Sequence, residues 1–372
     1  VKMFSAVFRV SLCALLLSPG LCGACPFPCE CSEAAKTVKC VLKDLKDIPA
    51  GIPGYTRNLF ITGNQIRRIG PKSFQGLENV TTLSLSNNRI NTVESRAFAG
   101  LRSLRSLDLS NNQLSGIHPE AFLLENSSLQ ELDLSQALYN HSAVTPLASS
   151  LRLGRGRGLG RLLRLDLSDN GLIFLPPGMF ANLSGLQQLD LSNNSLVAIM
   201  DSTFLGLDLR KLDLSLNAFK TFKEDSLREL GGQRQAQILL RDNPFVCNCD
   251  VEDFARWLNS TSRVPDADRL VCVDPRELHN VSLLSLGELA LECHASKGAD
   301  LALQTSYVFL GIVLGFVGVI FLFVLYLNRK GIKKWIYETR DACRELMEGY
   351  HYRYEIESDP RLAQVSTTSS DL

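Results

Sequence analysis

Histidine is scarce in this chain. His118, His141, His279, His294 and His351 are scattered, and no two have metal-ligand spacing, which argues against a zinc site. An excess of either charge is lacking too. The 39 basic residues balance the 39 acidic ones, so no bulk field calls for nucleic acid or a membrane surface. No nucleophile–base set, phosphate-cradling glycine loop or metal cluster is visible, so neither an enzyme nor a cofactor is expected. Cysteine is missing from the whole stretch between Cys40 and Cys247.

The cysteines gather instead at the two ends of that stretch. Cys25, Cys29, Cys31 and Cys40 crowd one end, and Cys247, Cys249, Cys272 and Cys293 the other. Two sets of four suit disulfide staples in an oxidising compartment, and spacing alone permits three connectivities in each. Two four-thiolate zinc knots are the alternative, disfavoured by the export signal ahead of both clusters. That signal begins at Met3. Arg9 is followed by the apolar run Val10 to Leu17, the breaker Ser18-Pro19-Gly20, and small Gly23 and Ala24. This predicts a secretory signal peptide cut near Ala24.

A second apolar run, Tyr307 to Leu327, holds 21 residues without a charge. At about 1.5 Å per helical residue it covers a hydrocarbon core of roughly 30 Å. Arg329, Lys330, Lys333 and Lys334 follow at once, while Lys297 is the sole basic residue in the ten before Tyr307. The positive-inside rule then puts the amino terminus outside, as in a single-pass type I protein of the plasma membrane. Gly311 and Gly315 make a small-xxx-small pair that would let two copies pack as a homodimer. The plainer reading is that glycine is common in membrane helices.

The middle of the chain repeats itself. Leu104-Leu107-Leu109-Asn112-Leu114 fits L-x-x-L-x-L-x-x-N-x-L, and the frame recurs around Asn64, Asn88, Asn170, Asn194, Asn217 and Asn243. A further copy, Leu129-Leu132-Leu134, has Ala137 where the asparagine belongs, making eight units. Phe74, Phe98, Phe122, Phe180 and Phe204 each fall ten residues after their repeat's asparagine. L-x-L puts two apolar side chains on one face of a short strand. No unit buries its own core, so the array must stack and be capped. The prediction is an α/β solenoid, a leucine-rich-repeat horseshoe with disulfide-bonded amino- and carboxy-terminal caps, plus one transmembrane helix. Its parts are a signal peptide at 1–24, an amino-terminal cap at 25–54 and a first repeat block at 55–136. A hydrophilic inserted loop at 137–161, a second block at 162–242 and a carboxy-terminal cap at 243–295 follow. A stalk at 296–306, the membrane helix at 307–327 and a cytoplasmic tail at 328–372 complete it.

Several residues are candidates for function. The inserted stretch interleaves Arg152, Arg155, Arg157, Arg161 and Arg164 with Gly154, Gly156, Gly158 and Gly160. Glycine at that density resists regular structure, so a solvated loop is expected, with an acidic partner as the functional alternative. Seven sequons, at Asn79, Asn126, Asn140, Asn182, Asn193, Asn259 and Asn280, predict N-glycans. The exposed strand positions read Phe60, Ser84, Asp108, Asp133, Asp166, Asp190, Asp213 and Leu239. The aspartates form a stripe that Leu-Asp-Leu-Ser repeats produce anyway. Phe60 is less ordinary, an aromatic at an exposed strand position beside the first cap, either an anchor for a partner or simply covered by that cap. The tail is too small for an enzyme domain. Trp335, Ile336, Cys343 and Leu346 suggest a short juxtamembrane helix, with Cys343 a reduced thiol or a palmitoylation site. The terminal Ser370-Asp371-Leu372 suits a PDZ-domain protein.

Cys25-x3-Cys29-x-Cys31-x8-Cys40 resembles the amino-terminal cap of extracellular leucine-rich-repeat proteins, and Asn243-Pro244-Phe245-x-Cys247-x-Cys249 with Trp257, Cys272 and Cys293 their carboxy-terminal cap. That resemblance implies the pairs Cys25–Cys31, Cys29–Cys40, Cys247–Cys272 and Cys249–Cys293. More specifically, Cys29-Glu30-Cys31-Ser32-Glu33-Ala34-Ala35, Arg57-Asn58-Leu59-Phe60, the block Leu303 to Trp335 and the tail Met347-Glu348-Gly349-Tyr350-His351-Tyr352-Arg353-Tyr354 resemble the trophoblast glycoprotein family. The resemblance implies two repeat blocks split by a hydrophilic loop. It also implies inhibition of Wnt/β-catenin signalling at the cell surface, acting on the Wnt co-receptor of the lipoprotein-receptor-related family. The family's inhibitory patch maps onto Lys39 and Phe60. The Arg/Gly insertion departs from the family's pattern. A different class of function, cell adhesion linked to PDZ scaffolds, would use the same ectodomain and tail.

Overall fold

A computed structural model describes residues 25–124, 128–153, 159–287 and 294–358. The predicted signal peptide, Asn126, Gly154 to Gly158, Cys293 and the terminal Ser370-Asp371-Leu372 lie outside the described residues. Two compact units divide between Leu291 and Glu292.

The first unit is a leucine-rich-repeat solenoid. Each repeat contributes a three-residue strand, and eight of these, from Asn58–Phe60 to Gln237–Leu239, pair in parallel and in register. Thr37–Lys39 joins them in parallel, and Glu30–Ser32 folds back antiparallel on it as the edge of a ten-stranded sheet. The middle residue of every repeat strand points inward. Leu59, Leu83, Leu107, Leu132, Leu165, Leu189, Leu212 and Ile238 are all fully buried. On the other side Arg68–Ile69, Thr92–Val93 and Gly116–Ile117 form a small parallel sheet. Phe98 stacks between Phe74 and Phe122, with ring centroids 5.9 Å apart on each side. The ten-residue phenylalanine register is this spine.

The consensus asparagines tie one coil to the next. The carboxamide of Asn112 donates to the carbonyls of Leu85, Leu109 and Ser110 and accepts from the Ile90 amide. Asn64, Asn194, Asn217 and Asn243 make the same kind of bridge. Each asparagine is buried, so most of these bonds satisfy backbone groups that water cannot reach.

The segment 137–161 differs from the solvated loop that its composition predicts. Val144–Arg152 is a helix, and Val144, Leu147, Ala148 and Leu151 on one face of it are buried. Their i, i+3, i+4, i+7 spacing is that of an amphipathic helix, a period masked by the arginines and glycines that follow. Asn140 caps the short turn leading in, accepting from the Ser142 amide at 2.9 Å. The strands Glu131–Asp133 and Arg164–Asp166 pair directly across the insertion, so the sheet runs through it unbroken.

Both ends of the sheet are closed. At the start, Cys25–Cys31 and Cys29–Cys40 are bridged. At the far end, Cys247 is bridged to Cys272 and Cys249 is also disulfide-bonded. The last strand donates from Ile238 to the Arg263 carbonyl, and Asp266 accepts from the amides of Leu240 and Arg241. Phe219, Phe222, Phe245, Phe254 and Trp257 form an aromatic cluster behind it, with Phe222 and Phe254 edge to face and Phe254 and Trp257 stacked. The Arg263 guanidinium lies 5.7 Å from the Trp257 ring centroid and donates to the carbonyls of Leu230 and Gln233. Partial burial lowers its pKa from the ordinary value.

The second unit holds two helices, His294–Leu327 and Arg329–Ser358. Within the first, Phe309–Leu327 is long and apolar enough to cross a membrane. The stretch 296–306 is helical and continuous with the apolar segment, and the tail helix, at 30 residues, is much longer than the short juxtamembrane helix expected.

Candidate functional site: the amino-terminal end of the concave sheet

The sequence nominates Lys39 and Phe60, and the fold brings them together. They are register partners on adjacent parallel strands, which places their backbones about 4.8 Å apart. Each position is fixed from below. Val38 and Cys40 are fully buried, as are Leu59 and Ile61, so strand alternation turns Lys39 and Phe60 to the opposite, concave face. The Cys29–Cys40 bridge pins the residue after Lys39. The Cys40 amide donates to the Phe60 carbonyl at 2.7 Å, and the Leu42 amide to Thr62 at 3.0 Å, extending the ladder past the strand ends.

Lys39 is exposed and Phe60 half-buried. On its other side Lys39 faces Glu30 in register, but the Glu30 carboxylate pairs with Lys43 at 3.3 Å. Lys39 thus has no ion-pair partner among the described residues, and its charge is available to a ligand. The same alternation brings Val41 onto this face, 40% exposed. Sequence reasoning missed Val41. The signal was present in the Val38-x-Cys40 pair, since two buried positions flanking Lys39 require Val41 to share its side. The patch is a cation, an aromatic ring and an aliphatic side chain on a disulfide-stapled ladder. None of the seven sequons falls in its two strands.

The aspartate stripe has a different character. Asp108, Asp133, Asp166, Asp190 and Asp213 each accept, through Oδ1, from both the amide and the hydroxyl of the serine two residues on. These carboxylates build the turn that leaves each strand. Lys211, 3.4 Å from Asp213, further offsets that carboxylate's charge. Asp190 pays for its place in the row. Burial raises its pKa most, the Ser192 bonds oppose that, and neighbouring Asp213 and Asp166 raise it again.

A raised folded-state pKa means that ionisation favours the unfolded chain. The penalty is absent in acid, where both states are protonated, and complete once the pH exceeds the folded value. Produced in a host without N-glycosylation, since it creates a sequon with Ser192, Asp190→Asn retains an acceptor for Ser192 and removes the charge. It is expected to raise the thermal midpoint at neutral pH, with the gain shrinking as the pH falls toward 3.8, the ordinary Asp value. A gain that persisted unchanged into acid would contradict this electrostatic origin.

Asn79, Asn140, Asn193, Asn259 and Asn280 are exposed, and Asn182 is half-buried with its amide on the Arg152 carbonyl. Cys343, on the tail helix, is an exposed free thiol.

The leucine rich repeat family matches residues 55–114, 149–196 and 160–219. Trophoblast glycoprotein of Mus musculus is 44% identical over 368 residues, covering 93% of this chain and 85% of the relative. That of Homo sapiens is 44% identical over 379 residues, covering 98% and 89%. Among solved structures, human 5T4 (Wnt-activated inhibitory factor 1, trophoblast glycoprotein) matches with a TM-score of 0.64 and 38% identity, covering 72% of this chain and 97% of that one.

Proposed function

The chain belongs to the trophoblast glycoprotein family, and from that premise we propose that it inhibits Wnt/β-catenin signalling at the plasma membrane. Its amino terminus is extracellular, its tail is cytoplasmic, and its partner is the Wnt co-receptor of the lipoprotein-receptor-related family. The solved human relative also bears the name Wnt-activated inhibitory factor 1, and the amino-terminal patch supplies a surface for the task. The observation that carries the reading is the register pairing of Lys39 with Phe60 beneath a disulfide. An aromatic anchor beside an unpaired cation suits a partner with an apolar pocket and an acidic rim. The terminal Ser370-Asp371-Leu372 adds a PDZ ligand on the cytosolic side.

The test is a Wnt reporter assay with membrane-anchored variants whose surface level is measured in parallel. Lys39→Ala and Phe60→Ala should each weaken inhibition at normal surface expression. Truncating a hot-spot residue costs about 2 kcal/mol, roughly thirtyfold in affinity. Val41→Asp should weaken inhibition as well, because it sets a carboxylate against the acidic rim. Asp190→Ala, farther along the sheet, should inhibit like the parent. Full inhibition by the Lys39 and Phe60 variants would move the site elsewhere.

A further inference from the structure

The tail helix Arg329–Ser358 begins two residues after the membrane segment ends, and its first five turns carry an unpartnered apolar face. At about 100° per residue, Ile332, Trp335, Ile336, Cys343 and Met347 fall on one side. Trp335, Ile336 and Met347 are 66%, 52% and 75% exposed. Lys333, Arg340 and Arg344 border that face along one flank. The carboxylates gather away from it: Glu338, Asp341 and Glu345 share the opposite side, where Glu338 pairs with Lys334 at 3.8 Å. Lys330 and Lys334 lie on that far side too, and Arg340 reaches Asp341 at 3.7 Å, so the sorting is one-way: the border of the apolar face carries cations and no carboxylate. A helix surrounded by water gains nothing from keeping its anions off that border. A helix lying on an anionic surface does.

We infer that residues 329–347 form an interfacial anchor that lies on the cytoplasmic leaflet and binds anionic phospholipid. The apolar face enters the boundary between headgroups and acyl chains. Trp335 sits at headgroup depth, where its amphipathic ring is favoured. Lys333, Arg340 and Arg344 meet lipid phosphates and carboxylates, and the acidic face turns to the cytosol. The membrane segment holds the helix at the surface, so only orientation and local partitioning remain to be settled. The helical ladder runs across the junction, the Asn328 amide donating to the Val324 carbonyl and the Ile332 amide to that of Asn328, so lying flat requires a bend there, which Gly331 makes easier. Cys343 then rests at the bilayer edge, on the side from which an acyl chain would enter it. This placement assumes the proposed orientation of the chain but not its role in Wnt signalling.

The full chain, with a nitroxide on Cys343, can be reconstituted in nanodiscs of phosphatidylcholine alone or mixed with phosphatidylserine. Both leaflets then carry the same lipid, so the outcome does not depend on which way the chain faces. In serine-lipid discs the label should be reached by oxygen, which concentrates in lipid, in preference to a water-soluble nickel chelate. That preference should fall severalfold in phosphatidylcholine discs, at high salt, and in a Lys333→Glu/Arg340→Glu/Arg344→Glu variant, since each cation near such a surface contributes roughly fivefold. Nickel access that is equal in both lipids overturns the proposal. So does shielding from both reagents with dipolar broadening between labels, which would mean that a second copy covers this face. Native ectodomain disulfides in each sample exclude misfolding as the cause.

Discussion

Replacing Phe98 by alanine is expected to destabilise the ectodomain by about 3–5 kcal/mol. The ring is fully buried and stacked on both sides, at interplanar angles of 17° to Phe74 and 3° to Phe122. Removing it deletes two ring contacts and leaves a void that neither neighbour can fill without leaving its own stack. In a solenoid each coil touches only its neighbours, so a weakened coil uncouples the blocks on either side. Denaturant unfolding of the secreted ectodomain should show a lower midpoint and a broader transition. Phe98→Leu should recover part of the loss. Phe60→Ala removes the same atoms from a half-buried site on the concave surface and should shift the midpoint far less. Equal shifts for Phe98→Ala and Phe60→Ala would mean that the spine does not organise the core.

That contrast shows what the sequence makes legible. Phe98 and Phe60 are the same residue type, yet their registers separate them. One falls ten residues after a consensus asparagine, in the spine, and the other between two strand leucines, on the concave face. Repetition makes both assignments readable, because every coil restates the rule. Features that occur once are harder to read. The helix Val144–Arg152 has an apolar face of helical period, but no second copy draws attention to it, and the arginine and glycine run beside it dominates the composition. The aspartate stripe misleads for another reason. Its charges repeat, and a repeated charge reads as an electrostatic surface. The serine two residues after each aspartate repeats as well, and an Asx-type turn was legible there from the spacing alone. At the candidate site, Lys39 and Phe60 lie far apart in sequence, and only the parallel register of their strands makes them neighbours. Val41 was within reach of simple alternation from Val38 and Cys40.

Asn170 marks the place where the repeat rule is under most strain, and Asn170→Ala is expected to cost about 3 kcal/mol or more. Its carboxamide donates to the carbonyls of Leu134, Leu167 and Ser168 and accepts from the amides of both Ala137 and Leu138. The preceding coil has Ala137 in place of an asparagine and makes do with a backbone bond, the Leu114 amide donating to the Ala137 carbonyl at 2.8 Å. Asn170 is therefore the consensus asparagine that ties that coil to the next across the insertion. Alanine here leaves buried backbone groups short of partners, and each costs about 1–3 kcal/mol where water cannot replace them. Asn112→Ala should cost less, because a regular coil flanks it toward the amino terminus and its oxygen serves a single amide. Asn170→Asp separates the two halves of the bridge. The acceptor survives, but a carboxylate now faces carbonyl oxygens that it cannot bond. Its folded-state pKa should lie above the unfolded one, so the variant should regain stability as the pH falls and the acid acquires a proton to donate. Hydrogen exchange locates the damage. In Asn170→Ala, amides from Ala137 to Val144 should lose protection before those of the strand Gln188–Asp190. Unchanged protection there would show that the helix Val144–Arg152 holds the insertion in place without the ladder.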